Sequence, residues 1–319
     1  MKVVNSILEL IGKTPMLKLN KLTKDIEAEV LVKLEYLNPT GSLKDRIALK
    51  MIEYAERDES LKPGYTIVES STGNTGISLS FVGNMKGYKV VIYETIPGKM
   101  DKERVKIMES YGAEVHLTTL KMISELRDKS VMGAEVEIPG REICLKLEKR
   151  DPNVWWARQF SNPNNVAAHN ETGREILAQT DGKVDAFVAA IGTGGTLMGV
   201  AEFLKEKLPD IRIVGVRPKG SKRPIIPGKP YPKTEISGGI ISDMLERNLV
   251  DEIVEVSDED AINMTHRLWR EEGVFAGISS GANVLVAVKE AEMLGEGKRI
   301  VTVLPDSGDR YLTEEHFVT

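Results

Sequence analysis

Short runs of apolar, β-branched residues alternate along the chain with longer amphipathic stretches. In the segment 46–56, residues Ile47, Met51, Tyr54 and Ala55 fall on one face of a helix. The runs that predict buried strands are 29–35 (EVLVKLE), 89–94 (KVVIYE), 186–191 (AFVAAI), 211–216 (IRIVGV) and 299–305 (RIVTVLP). Strand–helix alternation of this kind predicts parallel sheets covered by helices. We therefore expect two α/β domains with a cleft between them.

Composition places the chain among ordinary globular proteins. Its 319 residues, 41% hydrophobic and 29% charged, are enough for one large core or two moderate ones. The formal charge of −5 gives no reason to expect nucleic acid or an anionic membrane as a partner, and no apolar run approaches the roughly 20 residues that span a bilayer. The single cysteine, Cys144, precludes an internal disulfide and fits a reducing cytoplasm. The four histidines are too scattered for a local metal motif, so no metal site is expected.

A glycine-rich turn is the first of four stretches that can carry chemistry. An apolar strand runs into it and a helix follows, so its glycines let the backbone approach a ligand at the positive end of a helix dipole. Threonine hydroxyls add donors. The pattern predicts a phosphate-binding turn, or else a plain strand–helix turn, formed by Gly192, Thr193, Gly194, Gly195 and Thr196. The spacing is not that of the dinucleotide motif, and no P-loop sequence occurs.

The second stretch, VESSTGNTGISLS, again places glycines and hydroxyls between a strand end and a helix. The main-chain N–H groups from Ser71 to Thr75 can gather around a carboxylate at the helix start. Asn74 adds a side chain that both donates and accepts hydrogen bonds. The alternative interpretation of this stretch is a helix cap.

The remaining two stretches contain one serine and one lysine of interest. In FAGISSGANVLVAVKEA, Ser279 is either part of a helix N-cap or a neutral hydroxyl that bonds a heteroaromatic nitrogen. In NPTGSLKDRIA, Lys44 follows a turn at a helix start, where the helix dipole disfavours the protonated amine. A lysine beside a phosphate-binding turn and a carboxylate-binding loop indicates an imine-forming lysine and a phosphorylated aldehyde cofactor.

Seven ordered motifs give the chain a resemblance to the pyridoxal-phosphate-dependent cysteine synthase / cystathionine β-synthase family, of fold type II. They are IGKTPMLKL, NPTGSLKDR, STGNTG, QFSNPNN, GTGGT, EEGVFAGISSGA and PDSGDRYL, and they cover almost the whole length. The resemblance implies an α/β fold of two three-layer α/β domains with a cleft between them. The smaller, mobile domain would be residues 45–156, and the larger, cofactor-binding domain residues 1–44 and 157–319. It also implies a homodimer, and we expect a cytoplasmic protein.

The resemblance implies a role for each candidate residue by its motif position. Lys44 would be the Schiff-base lysine of pyridoxal 5'-phosphate, and the turn from Gly192 to Thr196 would hold the cofactor phosphate. Asn74 would bond the ring hydroxyl, and Ser279 would face the pyridine nitrogen. The residues that would bind the carboxylate of the amino acid substrate are Ser71, Thr72, Asn74, Thr75 and Gln159.

The implied activity is β-replacement on a β-substituted L-alanine such as O-acetylserine, O-phosphoserine or cysteine. A serine at the ring nitrogen leaves that nitrogen largely unprotonated, which suits elimination and replacement at the β-carbon. Lys44, released when substrate arrives, would remove the α-proton, and a nucleophile would add to the resulting aminoacrylate. Closure of the smaller domain would exclude water. The alternative is a lyase, either a cysteine desulfidase that yields serine and sulfide or a serine/threonine deaminase.

The chain departs from the family pattern in ways that concern the substrate. Thr72 stands where serine is usual, which keeps the hydroxyl. The loop ISGGIISDML replaces a glycine-rich sequence and brings in Asp243, which is either a helix cap or a general base that activates water or a thiol. A basic, proline-rich loop at 217–239 is either a solvated face or an attractor for a dianionic leaving group or an acidic second amino acid, with Arg141 as a further candidate. The cations of this loop are Arg217, Lys219, Lys222, Arg223, Lys229 and Lys233.

Overall fold

The computed structural model describes two β-sheets and the helices that pack on them. The described residues are 3–94, 102–118, 137–221, 225, 227, 229, 236, 239–314 and 317. The strands are β1 (Met16–Lys18), β2 (Glu29–Leu34), β3 (Thr66–Ser70), β4 (Lys89–Glu94), β5 (Glu114–Leu117), β6 (Val154–Trp156), β7 (Ala186–Ala190), β8 (Arg212–Pro218), β9 (Glu252–Val256) and β10 (Arg299–Leu304). The helices are α1 (Lys44–Arg57), α2 (Asn74–Met85), α3 (Lys102–Ser110), α4 (Ile138–Arg150), α5 (Pro163–Gln179), α6 (Gly195–Lys207), α7 (Gly239–Glu246), α8 (Asp258–Arg267) and α9 (Ile278–Leu294).

The strands form two separate sheets. One sheet has six strands in the order β1-β2-β10-β7-β8-β9, with β1 antiparallel to β2 and the other pairs parallel. The other sheet has four parallel strands in the order β5-β4-β3-β6. Parallel neighbours need crossover connections, and helices provide them here. The α/β fold class is therefore confirmed, while the division into a mobile and a larger domain stays a prediction.

Side chains are buried on both faces of the sheets, as parallel strands under helices require. Along β7, Ala186 and Val188 pack into one apolar cluster and Phe187 and Ala189 into another. All five strand runs that the hydrophobic pattern predicts are strands, namely β2, β4, β7, β8 and β10. The predicted helix at 46–56 lies within α1.

A buried ion-pair cluster fixes the start of α1. Arg46 Nε lies 2.7 Å from Glu35 Oε2, and Arg46 Nη1 lies 2.7 Å from Glu175 Oε1 on α5. Lys33 Nζ of β2 lies 2.8 Å from Glu175 Oε2. Although burial opposes the shift, hydrogen bonds from Arg46 and Lys33 lower the pKa of Glu175 to about 2. Loss of one partner from a buried pair costs about 3–5 kcal/mol, so this cluster holds the first turn of α1 firmly in place.

The basic stretch 217–239 contains no helix or strand between β8 and α7 among its described residues. Lys222, Arg223 and Lys233 lie outside the described residues, as does most of 121–140. None of the helices in the described part of the chain has the length and apolarity that crossing a membrane requires.

Candidate active site

A cavity of about 170 Å³ lies where β7 and β10 end and α1, α2, α6 and α9 begin. Its lining residues are Leu43, Lys44, Asn74, Ala190, Gly192, Thr193, Gly194, Thr196, Ser279, Val303, Pro305, Asp306 and Tyr311. A second cavity, of about 260 Å³, shares four of these residues and extends along the loop after β3. It is lined by Lys44, Ser71, Thr72, Gly73, Asn74, Thr75, Glu137, Phe160, Gln159, Gly192 and Thr193. The predicted lysine, glycine turn, asparagine loop and serine thus line two neighbouring cavities that share four residues.

Lys44 is the first residue of α1 and lines both cavities. The backbone N–H of Leu43 donates to the carbonyl of Pro305 at 2.9 Å, which ties the helix start to the end of β10. Burial lowers the pKa of Lys44 to about 8, and the carboxylates of Asp306 and Glu137 limit that decrease. A substantial fraction of the amine is therefore neutral near pH 8, as a nucleophile or base requires.

The residue that follows Lys44 holds the turn before the helix. Asp45 Oδ2 accepts the backbone N–H of Thr40 at 2.7 Å, and Asp45 Oδ1 accepts the hydroxyl of Ser78 on α2 at 2.7 Å. Arg46 belongs to the ion-pair cluster described above. Of the three consecutive charges in KDR, the lysine lines the cavity and the other two fix the helix that carries it.

The glycine turn borders the cavity and leads into α6. Gly194 has φ +89°, which favours glycine, and a Cβ on Gly195 would lie 2.0 Å from Asn165 Oδ1. A Cβ on Gly192 would meet no atom within 4 Å, so that glycine faces open space at the cavity. Thr193 Oγ1 accepts from Asn165 Nδ2 at 3.0 Å and so is held at the start of α6.

A buried histidine supports the last threonine of this turn. His169 Nε2 lies 3.1 Å from Thr196 Oγ1, and His169 Nδ1 lies 3.2 Å from Thr172 Oγ1. Burial, with the nearby charges of Lys44 and Arg46, holds the pKa of His169 well below its usual range. The ring is neutral, so one nitrogen donates and the other accepts. The amino-acid sequence did not predict this contact, because a single histidine on a helix does not indicate which residue it will bond.

The predicted asparagine is held from both sides. Asn74 Nδ2 donates to Asp306 Oδ2 at 2.7 Å, and Arg310 Nη1 donates to Asn74 Oδ1 at 2.5 Å. Tyr311 OH donates to the same Asp306 Oδ2 at 2.7 Å, and Arg310 also donates to the carbonyl of Thr40. The amide orientation is thereby set, with a second Nδ2 proton left to donate. Asp306, Arg310 and Tyr311 all belong to the motif PDSGDRYL. The motif sequence alone did not indicate that they orient Asn74.

The loop between β3 and α2 uses one hydroxyl for its own turn. Ser71 Oγ accepts the backbone N–H groups of Gly73 and Gly76 at 3.3 and 3.0 Å, and keeps its proton as a donor. Thr75 Oγ1 donates to Gln159 Oε1 at 2.7 Å, which turns the Gln159 amide nitrogen towards the cavity side of β3. The predicted carboxylate-binding residues therefore lie together.

A carboxylate of the protein itself lies on these donors. Glu137 Oε1 accepts the backbone N–H of Thr72 at 3.1 Å, and Glu137 Oε2 accepts from Gln159 Nε2 at 3.1 Å. Arg141 Nη2, one helical turn along α4, lies 3.4 Å from Glu137 Oε2. Burial raises the pKa of Glu137, against the opposing effect of Arg141 and Thr72. Sequence reasoning did not identify Glu137, and its hypothesis that Arg141 attracts a dianionic leaving group or an acidic second amino acid stays a prediction.

A second buried acid fixes the backbone on the other side of Gln159. Glu69 Oε2 accepts the N–H of Gln159 at 2.9 Å, and Glu69 Oε1 accepts Trp156 Nε1 at 2.8 Å. Burial raises the pKa of Glu69 to about 7, and the charge of Glu137 adds to that increase. The donors around Gln159 therefore already serve two carboxyl groups.

Ser279 lies in the first turn of α9 and lines both the 170 Å³ cavity and a neighbouring, more apolar one. The helix cap is Gly277, where a Cβ would lie 2.3 Å from Asp306 Oδ1, so α9 begins in close contact with the end of β10. A neutral hydroxyl at a helix N-terminus faces the space that Lys44 and Asn74 also line.

The structure does not bring Asp243 into either cavity that Lys44 lines. Asp243 is the fifth residue of α7, so it does not cap that helix, and it lines a separate cavity with Asn170, Glu202 and Arg247. Among the described cations of the basic stretch, Arg217 is paired with Glu255. Lys219 and Lys229 are exposed.

Comparison with known proteins assigns this geometry to a family of similar chains. Residues 7–306 match the family described as pyridoxal-phosphate dependent enzyme. A cysteine synthase from Staphylococcus aureus is 44% identical over 317 residues, which is 98% of this chain and 96% of the relative.

Solved structures agree with that match. A cysteine synthase from Entamoeba histolytica superposes with a TM-score of 0.85 at 38% identity, covering 100% of this chain and 92% of the other. A hydrogen sulfide-producing enzyme from Fusobacterium nucleatum superposes with a TM-score of 0.82 at 35% identity, covering 97% of this chain and 100% of the other.

Proposed function

The chain belongs to the pyridoxal-phosphate-dependent enzymes, in their cysteine synthase group, and we propose that it replaces the β-substituent of O-acetyl-L-serine with a thiol. Its cofactor is pyridoxal 5'-phosphate. The observation that carries the proposal is Lys44, whose pKa is lowered to about 8 in a cavity that also contains the glycine turn, Asn74 and Ser279.

The residues present fit this cofactor. The open space at Gly192 and the start of α6 suit its phosphate, and we assign Gly192 to Thr196 to that group. Lys44 would hold the aldehyde carbon, Asn74 the ring hydroxyl and Ser279 the ring nitrogen. When bound, the cofactor withdraws electrons from the α-carbon of an attached amino acid.

The side chains of the chain perform the remaining tasks. Lys44 moves the proton at the substrate α-carbon, for which a pKa of about 8 is suitable. Ser279 offers the ring nitrogen a neutral hydroxyl instead of a carboxylate, which favours loss of a β-substituent over chemistry that needs a protonated ring. Thr72, Thr75 and Gln159, with Ser71 and Asn74, bind the α-carboxylate and orient the substrate.

The proposed reaction balances without a further reagent. O-acetyl-L-serine and the hydrosulfide ion give L-cysteine and acetate: the Cβ–O bond breaks, a Cβ–S bond forms, and the acetate leaves with the electron pair of the broken bond. The test is product analysis with O-acetyl-L-serine and sulfide, with Lys44→Ala as the control. Cysteine formation that requires Lys44 supports the proposal. If wild-type protein loaded with pyridoxal 5'-phosphate forms no cysteine, the proposal is contradicted.

A sulfide-releasing activity is the second candidate. The similarity to a hydrogen sulfide-producing enzyme favours it, and water would replace the thiol of cysteine to give serine and sulfide. Asp243 as the base for this step is less well supported, because it lines a different cavity. Cysteine supplied alone separates the two activities, and unchanged sulfide release by Asp243→Asn would remove Asp243 from the mechanism.

We also propose the wider organisation that the family resemblance implies. Residues 45–156 form a smaller domain that closes on the amino acid, and residues 1–44 and 157–319 form the larger one. The chain would act as a cytoplasmic homodimer. Light scattering of the purified protein measures the oligomeric state, and a monomer mass would overturn that part.

A further inference from the structure

Glu137 places a carboxylate on the donors that the proposed function assigns to the substrate. The N–H of Thr72 is 3.1 Å from Glu137 Oε1, and Gln159 Nε2 is 3.1 Å from Glu137 Oε2. The hydroxyl of Thr72 is a second donor to the same atom, with Thr72 Oγ1 3.4 Å from Glu137 Oε1. The same carboxylate lines the cavity that contains Lys44.

The N–H groups of Thr72 and Gln159 have too few hydrogens to bind two carboxylates at once. A backbone N–H has a single proton, and Thr72 gives it to Glu137. An amide nitrogen has two protons, and Gln159 Nε2 gives one to the carbonyl of Ser70 at 3.0 Å and the other to Glu137. A substrate carboxylate that binds here must therefore take these protons from Glu137.

The structure also provides a way for Glu137 to leave. Its backbone is fixed, because Ser70 Oγ donates to the Glu137 carbonyl at 2.9 Å and α4 starts tightly against β3, where a Cβ on Gly140 would lie 2.2 Å from Ser70 Oγ. Its cationic partner Arg141 lies one turn further along the same helix. Withdrawal of Glu137 from Thr72 and Gln159 would therefore be a movement of its side chain, with Arg141 as the cation on the same helix.

Electrostatics favours this exchange once the substrate carboxylate arrives. Glu69 and Glu137 are 0% and 9% exposed and lie on opposite sides of Gln159. Burial already raises the pKa of both acids, and a further negative charge beside them is destabilising unless one negative charge is neutralised or moves away. Glu69 accepts three hydrogen bonds that fix the backbone and Trp156, whereas Glu137 occupies the donors of Thr72 and Gln159 that a substrate carboxylate would use.

We propose that Glu137 is an affinity-determining residue that competes with the α-carboxylate of the amino acid for Thr72 and Gln159. This inference rests on the proposed function, in which those donors bind the substrate. Because the substrate binds only the fraction of molecules in which Glu137 has withdrawn, the competition raises its apparent Kd by the inverse of that fraction. Glu137 thereby favours ligands whose carboxylate accepts the hydrogen bonds of Thr72 and Gln159 better than the Glu137 carboxylate does.

The test is the affinity of Glu137→Gln holoenzyme for L-alanine, which lacks a leaving group, measured from the change in visible absorption. We expect the Kd for L-alanine to fall about fivefold or more, since a neutral amide competes less well for the same donors. The Kd for L-alaninamide, which has no carboxylate, should change less than twofold. The matched control is Glu142→Gln, an exposed glutamate on the same helix, which should leave both values unchanged.

Equal or weaker binding of L-alanine by Glu137→Gln would overturn the inference, as would an equal gain for L-alaninamide. A second measurement needs no variant: a crystal structure of the holoenzyme with L-alanine should have the ligand carboxylate on Thr72 N–H, with Glu137 Oε1 beyond hydrogen-bond distance. Glu137 retained on Thr72 in that complex would also overturn it. A holoenzyme whose spectrum responds to no amino acid would instead contradict the proposed function itself.

Discussion

Lys44 owes its chemistry to its position at the first turn of a buried helix. Burial disfavours its ammonium form, while Asp306 and Glu137 favour it, and the balance lowers its pKa to about 8 from an ordinary 10.5. At pH 7 about a tenth of the amine is then neutral, against fewer than one molecule in a thousand for an exposed lysine. Asp45 and Arg46 contribute indirectly, since each holds the helix start in place.

This balance predicts the pH dependence of cofactor capture. The neutral amine attacks the aldehyde, so the rate should rise about tenfold per pH unit below pH 8 and level off above it. The measurement is the growth of visible absorption after pyridoxal 5'-phosphate is mixed with apoprotein from pH 6 to 10, with Lys44→Ala subtracted. A rate that still rises steeply between pH 9 and 10 would contradict the lowered pKa.

Asp306 should shift that midpoint. Its carboxylate raises the pKa of Lys44, so Asp306→Asn should move the midpoint of cofactor capture lower by roughly half a pH unit or more. The same titration checks this. Asp309→Asn is the matched control, because Asp309 belongs to the same motif and is exposed. An unchanged or higher midpoint in Asp306→Asn would exclude the electrostatic role.

At the scale of elements, the site is a meeting point of helix N-termini. Helices α1, α2, α6 and α9 all begin at the cavity, so the positive end of each helix dipole lies there. An anionic cofactor and an anionic substrate both suit such an arrangement. The parallel strands β3, β7 and β10 make it possible, because each ends beside the start of one of these helices.

Two glycines at the start of α6 should respond differently to the same methyl group. Gly192→Ala meets no atom within 4 Å, so its free energy of unfolding should change by less than about 0.5 kcal/mol while cofactor affinity falls. Gly195→Ala would place its Cβ 2.0 Å from Asn165 Oδ1 and should destabilise the fold by about 1–3 kcal/mol. Denaturant unfolding of the apoproteins and cofactor titration separate the two effects. Equal stabilities would contradict the packing argument.

At the scale of the whole molecule, the cavity joins the two sheets. The glycine turn and Asp306 follow strands of the six-stranded sheet, and Asn74 follows a strand of the four-stranded sheet. A ligand held by both groups links the two halves of the core. The hydrogen bond from Asn74 to Asp306 already joins them, across 232 positions of the chain.

Cofactor removal should therefore lower the thermal stability of the whole chain. A ligand at about 100 times its Kd stabilises the folded state by roughly 2.7 kcal/mol, which corresponds to several degrees in Tm for a chain of this length. Differential scanning calorimetry of holo- and apoprotein measures the difference. Lys44→Ala should lose most of the gain at the same cofactor concentration, and an equal Tm for both wild-type forms would contradict this linkage.

The resemblance and the local patterns predicted the lysine, the glycine turn, the asparagine loop and Ser279 as parts of one site. The structure places these residues around the same cavities, since each is a short segment at the start of a helix that begins there. Asp243 was expected in or near the site because its loop departs from the family pattern. In the structure α7 carries that side chain to a neighbouring cavity, which no local pattern indicates.

The amino-acid sequence by itself determined the α/β class, five of the strands and the turns from which α1, α2, α6 and α9 begin, because hydrophobic period and glycine placement act over a few residues. Only the tertiary structure decided which distant side chains orient the residues at these turns or shift their pKa. Asp306 and Arg310 reach Asn74 from more than 230 positions away, and Glu137 reaches Thr72 from 65 positions away. Such contacts depend on how two sheets pack together, and burial at that junction sets the pKa of Lys44 and the competition at the carboxylate site.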